Sequence, residues 1–131
     1  MKYIAMVDFL ETEDVLVLHS DQVDLYGGEH GVRDLNLLES AIAQPKATFG
    51  GEYLHKDLFE MAAAYLFHIV QNHPLVDGNK RTGLVAALTF LDFNGIEIDA
   101  PRGSLYDLTL SVATGKSGKP EIAEFFRNLA D

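Results

Sequence analysis

The chain has 131 residues, 47% of them apolar, and no cysteine, which bounds it to one domain spanning residues 1–131, with a single core, no disulfides and no thiolate chemistry. Its formal net charge of −10 argues against direct DNA or RNA binding, because cations that neutralise phosphate supply most non-specific affinity. No apolar run approaches the ~20 residues of a membrane span, and the apolar run within residues 1–8 is too short for a signal peptide, so a soluble cytoplasmic protein without membrane contact is expected.

Residues 3–7 have the preferences of a short strand. Thr12 is placed to cap a first helix, with Glu13 and Asp14 in the favourable first turn, and that helix runs to Tyr26 and stops at Gly27–Gly28. Asp34 caps a second helix whose apolar face is Leu35, Leu38 and Ile42, and Pro45 ends it. Between residues 46 and 53, Gly50–Gly51 flanked by residues of strand preference is a hairpin signal.

From Asp57 the series Leu58, Met61, Ala62, Tyr65, Leu66 and Ile69 follows i, i+3, i+4, i+7 and predicts an amphipathic helix. It must end near Asn72–His73, because the residue before Pro74 is pushed out of the α region. The next helix begins at Asn79 or Lys80 and ends at Asn94–Gly95. Its interior, residues 84–91, is apolar nearly all round, which predicts a central, buried helix. Two more helices are expected, over 105–113 and 120–129, the last capped by Ser117 with Ile122, Phe125, Phe126 and Leu129 on its core face. The expected fold class is all-α: a compact helical bundle around a central buried helix, with one small β-hairpin.

The anomaly lies between the two strongest helices, in His73-Pro74-Leu75-Val76-Asp77-Gly78-Asn79-Lys80-Arg81. Cations at a helix N-terminus are unfavourable by ~0.3–1 kcal/mol each. Yet two of the ten cations of this acidic chain stand together there. A phosphate at that end reverses the sign of the cost. Gly78 allows close backbone approach, and Asn79 can cap the helix or donate a hydrogen bond. Asp77 is a hard oxygen ligand of the kind Mg²⁺ takes beside substrate phosphates. His73, held at a helix end by Pro74, can act as general base toward a hydroxyl. Spacing alone does not separate such a site from an ordinary capping loop with Lys80 and Arg81 in salt bridges.

The segment resembles the signature of the Fic/Doc superfamily, His-any-Phe-any-acid-Gly/Ala-Asn-Gly/Lys-Arg, which His73, Asp77, Gly78, Asn79 and Arg81 match at the right spacing. The likeness extends from Leu18–His19 through Tyr26-Gly27-Gly28 to Asp107-Leu108-Thr109 and Ala113-Thr114-Gly115. Leu75 stands where the family has a Phe that anchors the loop in the core. AMP-transferring members carry a glycine after the asparagine and a second arginine three residues beyond the first; here those places hold Lys80 and Leu84. Lysine there is the Doc pattern, in which the ammonium fills the α-phosphate hole and the nucleotide binds reversed.

The resemblance therefore implies a Doc-like, death-on-curing toxin, bacterial or phage-encoded, that uses ATP and Mg²⁺ to phosphorylate a protein hydroxyl, a threonine of elongation factor Tu, and so arrests translation. It implies a cognate, Phd-like antitoxin as partner. His73 would be the base, Asp77 the metal ligand, and Gly78, Asn79, Lys80 and Arg81 the phosphate cradle. Phe49 and Gly50 would form the flap that docks the target backbone. AMP transfer, and a catalytically idle module that only binds an antitoxin, are the alternatives. The self-inhibitory Ser/Thr-any-any-any-Glu-Gly/Asn motif has no clean match, since Tyr53 breaks the nearest one, at 48–52. His19, His30, His55 and His68 are read as structural or exposed, without a zinc-site spacing, and Arg33 and Glu39 as surface or helix-linking charges.

Overall fold

The computed structural model of the chain describes residues 6–131. Six helices follow in order: α1 (Thr12–Tyr26), α2 (Leu35–Ala43), α3 (Leu58–Asn72), α4 (Asn79–Phe93), α5 (Ser104–Ala113) and α6 (Lys119–Leu129). A hairpin of β1 (Thr48–Phe49) and β2 (Glu52–Tyr53) joins α2 to α3, antiparallel with Thr48 opposite Tyr53. Gly50 and Gly51 turn it at φ 61° and 83°, the left-handed pair a tight hairpin turn needs. The all-α reading with one small hairpin holds. The strand expected over 3–7 lies mostly outside the described residues, and Met6 and Val7 are not in a strand.

The central helix is α3, not α4. It packs on α2, α4, α5 and α6, and residues 61–66 are buried without a break. On α4, by contrast, Leu84, Val85, Leu88 and Thr89 are only half-buried, so its apolar interior covers the flank of α3 and lines a cleft. A Cβ at Gly83 would stand 3.2 Å from Val70 and 3.3 Å from Leu66, so the two long helices approach where α4 has no side chain. Phe90, Tyr65 and Phe126 fill the core beside them. Tyr65 also ties in the N-terminal segment: its hydroxyl accepts from the Leu10 amide at 2.9 Å.

Two caps differ from expectation. Glu11, one residue earlier than Thr12, caps α1, and Asp14 reaches back to its backbone N–H at 2.8 Å. Gly118 caps α6, with Glu121 accepting from its N–H at 2.8 Å, while Ser117 is diverted to the Ser111 hydroxyl at 2.6 Å. Asp34 caps α2 as expected, accepting from the Leu37 N–H at 3.0 Å, and Asp57 caps α3, accepting from the Glu60 N–H at 2.8 Å. Leu35, expected on the core face of α2, is 51% exposed; Leu38 and Ile42 are buried. Pro45 sits in a single 3₁₀ turn after α2 ends at Ala43.

Candidate active site

Residues 73–78 connect α3 to α4 and leave few backbone groups free. His73 is the C-cap of α3 in the left-handed conformation, φ 50° and ψ 51°, the one non-glycine residue with positive φ among the described residues. Such a cap commonly falls to glycine or asparagine, so a histidine there is held at a conformational cost. Pro74, which cannot continue the helix, follows it. Leu75 is fully buried and anchors the loop in the core at the place of the family's Phe.

Asn79 grips the same loop from the first turn of α4. Its Oδ1 accepts from the Leu75 N–H at 2.9 Å and its Nδ2 donates to the Leu75 carbonyl at 3.0 Å. These two bonds fix which end of the amide faces which way. The same Nδ2 lies 3.0 Å from His73 Nδ1 and must donate to it. The Asn79 side chain is thus buried and fully engaged within the protein. What it offers a ligand is its backbone N–H, which like those of Lys80 and Arg81 has no acceptor within the helix.

Asp77 is exposed beside them. Its Oδ1 accepts from the Gly78 N–H at 2.9 Å and its Oδ2 from the Glu29 N–H at 3.1 Å. A Cβ at Gly28 would stand 2.7 Å from Asp77 Oδ2, so the glycine pair after α1 makes room for this carboxylate. Gly78 is the N-cap of α4 at φ 79°. Its role is this left-handed turn, since a Cβ there would meet His19 at an ordinary 3.6 Å.

Lys80 and Arg81 are exposed. Lys80 has no ion pair among the described residues. Arg81 reaches to the end of α1, where its Nη1 donates to the Gln22 and Gly27 carbonyls at 3.3 and 3.2 Å and its guanidinium lies 5.4 Å from the Tyr26 ring centroid. Its Nε and Nη2 remain without a protein acceptor among the described residues. Salt bridges to the abundant acids do not account for either cation.

These groups share one cavity of about 570 Å³. His73, Asp77, Lys80, Arg81 and Leu84 line it together with Tyr106 and Leu110 of α5. Leu84 leaves the lining apolar where a second arginine would stand. Phe49, 80% exposed, and Gly50 are not part of the lining.

Two residues read from the sequence as bland take part in the loop. His19, 3% exposed on α1, meets the Asp77 carbonyl with Nε2 at 2.8 Å. Arg33 donates from Nε to the His73 carbonyl at 2.7 Å and from Nη2 to the Asn72 carbonyl at 3.1 Å, so it links helices as expected and does so at the candidate base. No sequence spacing marks either contact, because each partner is a main-chain carbonyl.

Among the described residues no group of three or more His, Asp or Glu side chains forms a metal cage. Asp77 alone fits the manner in which Mg²⁺ is held by one or two carboxylates and substrate phosphates. Each of its oxygens accepts one N–H and keeps a further lone pair.

An all-helical protein that presents an open helix N-terminus, two cations, a carboxylate and a histidine to one cleft has the makings of a phosphate-handling enzyme. Residues 9–91 match the Fic/DOC family model. The chain is 46% identical over 95 residues to Toxin Doc of Mycolicibacterium smegmatis, covering 72% of this chain and 71% of that protein. It is 36% identical over 121 residues to Protein kinase doc of Escherichia phage P1, covering 92% and 94%. The chain belongs to the Fic/Doc family.

Proposed function

We propose that this chain is a single-domain, Doc-type toxin that transfers the γ-phosphate of ATP to a protein hydroxyl, a threonine of elongation factor Tu, and thereby arrests translation. The observation that carries the reading is that His73 lines the same cleft as the open N-terminus of α4 with Lys80 and Arg81. The likeness to the phage protein named a kinase supports phosphate transfer, and Lys80 with Leu84, in place of glycine and a second arginine, supports it over AMP transfer.

In this mechanism the N–H groups of Asn79, Lys80 and Arg81, the Lys80 ammonium and the free edge of Arg81 hold the phosphates. Asp77 would hold Mg²⁺, which would neutralise charge on the phosphates during transfer. His73 takes the proton of the target hydroxyl as its oxygen bonds to the γ-phosphorus, the bond to the bridging oxygen breaks, and ADP leaves. Phosphoryl transfer passes through a loose transition state, so placement and charge stabilisation do most of the work. Phe49, exposed at the hairpin tip, would dock the target's backbone.

The Asn79 contact adds a condition. A neutral His73 whose Nδ1 accepts from Asn79 carries its proton on Nε2. That ring is a donor toward the cavity. Base action therefore needs a half-turn of the ring or release from Asn79, so that a lone pair faces the hydroxyl. A cognate, Phd-like antitoxin would restrain the enzyme, and the site of action would be the cytoplasm; among the described residues no helix is long and apolar enough to cross a membrane. Incubation of elongation factor Tu with the protein, ATP and Mg²⁺, followed by intact-mass measurement, tests the reading.

A further inference from the structure

One residue outside the motif holds three successive carbonyls of the segment that carries the base. Arg33 Nη2 donates to Asn72, Arg33 Nε donates to His73 at 2.7 Å, and the Arg33 backbone N–H donates to Pro74, also at 2.7 Å. The Asp34 N–H joins it on the Pro74 carbonyl at 3.0 Å, and Val76 N–H returns to Gly31 at 3.0 Å, so residues 31–34 run as a short antiparallel partner to the loop. The Asn72 and His73 carbonyls lie at the end of α3, where a helix leaves acceptors open and favours a cation. They are also where the chain turns into the left-handed conformation at His73.

From this geometry we infer that Arg33 is a positioning residue for His73: its planar fork clamps the carbonyls on either side of the His73 α-carbon and thereby sets where the imidazole stands in the cleft. Two bonds in one plane fix the orientation of the cap as well as its place, which a single point charge does not do. Asp34, next in sequence, caps α2 through its carboxylate, so the clamp is mounted on a fixed helix end. Arg33 lies outside the cavity lining and touches no reacting group. The inference rests on the reading of His73 as the base, and it is separable from it by experiment.

The test uses the full chain as wild type, Arg33→Ala, Arg33→Lys and His73→Ala. The side-chain changes leave the backbone bonds of residues 33 and 34 to Pro74 intact. With Arg33→Ala, kcat for phosphate transfer is expected to fall on the order of tenfold or more, with KM for ATP within about twofold of wild type, because misplacement of a catalytic group costs rate and not ground-state binding. Added methylguanidinium should restore part of the loss. Arg33→Lys keeps the charge without the fork and should remain well below wild type; should Arg33→Ala fail to fold, this variant decides. Full activity in Arg33→Lys, or a loss confined to KM, overturns the inference.

The second readout is independent of activity: the imidazole ¹⁵N and ¹³C resonances of His73 in the nucleotide-free chain. They should shift and broaden in Arg33→Ala. If His73→Ala kept full activity, the base reading would fail by itself, and unchanged His73 resonances in Arg33→Ala would then overturn the positioning role as well.

Discussion

Asn79 Nδ2 donates to His73 Nδ1 across 3.0 Å, and because Leu75 holds both ends of the Asn79 amide, the contact cannot be relieved by turning that amide over. The resting imidazole is then the Nε2–H tautomer. The ¹⁵N chemical shifts of the neutral His73 imidazole should show a protonated Nε2 and a bare Nδ1 in the nucleotide-free protein. A protonated Nδ1 would contradict the arrangement. Replacing Asn79→Ala also strands the N–H and carbonyl of buried Leu75, so a stability loss of about 2–4 kcal/mol is expected in denaturant titration.

The left-handed cap makes a separate prediction. Asn tolerates this conformation better than Ala, which has no side chain to compensate for positive φ. His73→Asn and His73→Ala should both abolish transfer, but the Ala protein should be less stable by about 1 kcal/mol in chemical denaturation. Equal stabilities would mean that φ at this residue is not positive in solution.

A second cluster sets a pH dependence. His68 on α3 and His55 both direct Nε2 at Lys119 Nζ, at 3.1 and 3.4 Å. Burial, then the Lys119 charge and His55, push His68 down to about 4, and burial with Lys119 lowers His55 against a smaller opposing pull from Glu60. Both rings are neutral acceptors in the folded chain. Unfolding lets them take protons at the ordinary value near 6.5, so this contribution is full above that pH and is lost as pH falls from about 6.5 toward 4. With solvent screening of a half-exposed ring, the loss attributable to His68 is about 1–2 kcal/mol. His68→Leu should flatten the stability profile across this window relative to wild type; an unchanged slope would place the titration elsewhere.

In the proposed mechanism the nucleotide orientation turns on Lys80 and Leu84. Lys80→Gly with Leu84→Arg should open an anion hole and add a clamp for terminal phosphates. The double variant is expected to gain AMP transfer, read by mass on the modified target. Persistence of phosphate transfer alone would remove the argument from Lys80.

How far the sequence was legible depended on whether a residue's partner was local. The helices and hairpin followed from apolar spacing, Asp34 and Asp57, Pro74 and the glycine pairs, all of which act within a few residues. Thr12 and Ser117 are not the caps because the helices begin from caps one residue away from each expectation, Glu11 and Gly118, whose own N–H groups are taken by Asp14 and Glu121, a choice that turns on side-chain geometry. The prominence of α4 came from its composition, whereas centrality is a property of packing that α3 holds. The motif residues were visible as an electrostatic anomaly. The contacts of His19 and Arg33 were not, since any carbonyl can accept from them and only the fold brings α1 and the segment before α2 to this loop.

The most direct measurement is the intact mass of elongation factor Tu after incubation with the wild-type protein, ATP and Mg²⁺, beside the same mixture with His73→Ala. A gain of one phosphate with the wild type, absent with the variant, is the expected result. A gain of AMP, or a phosphate that persists without His73, would contradict it.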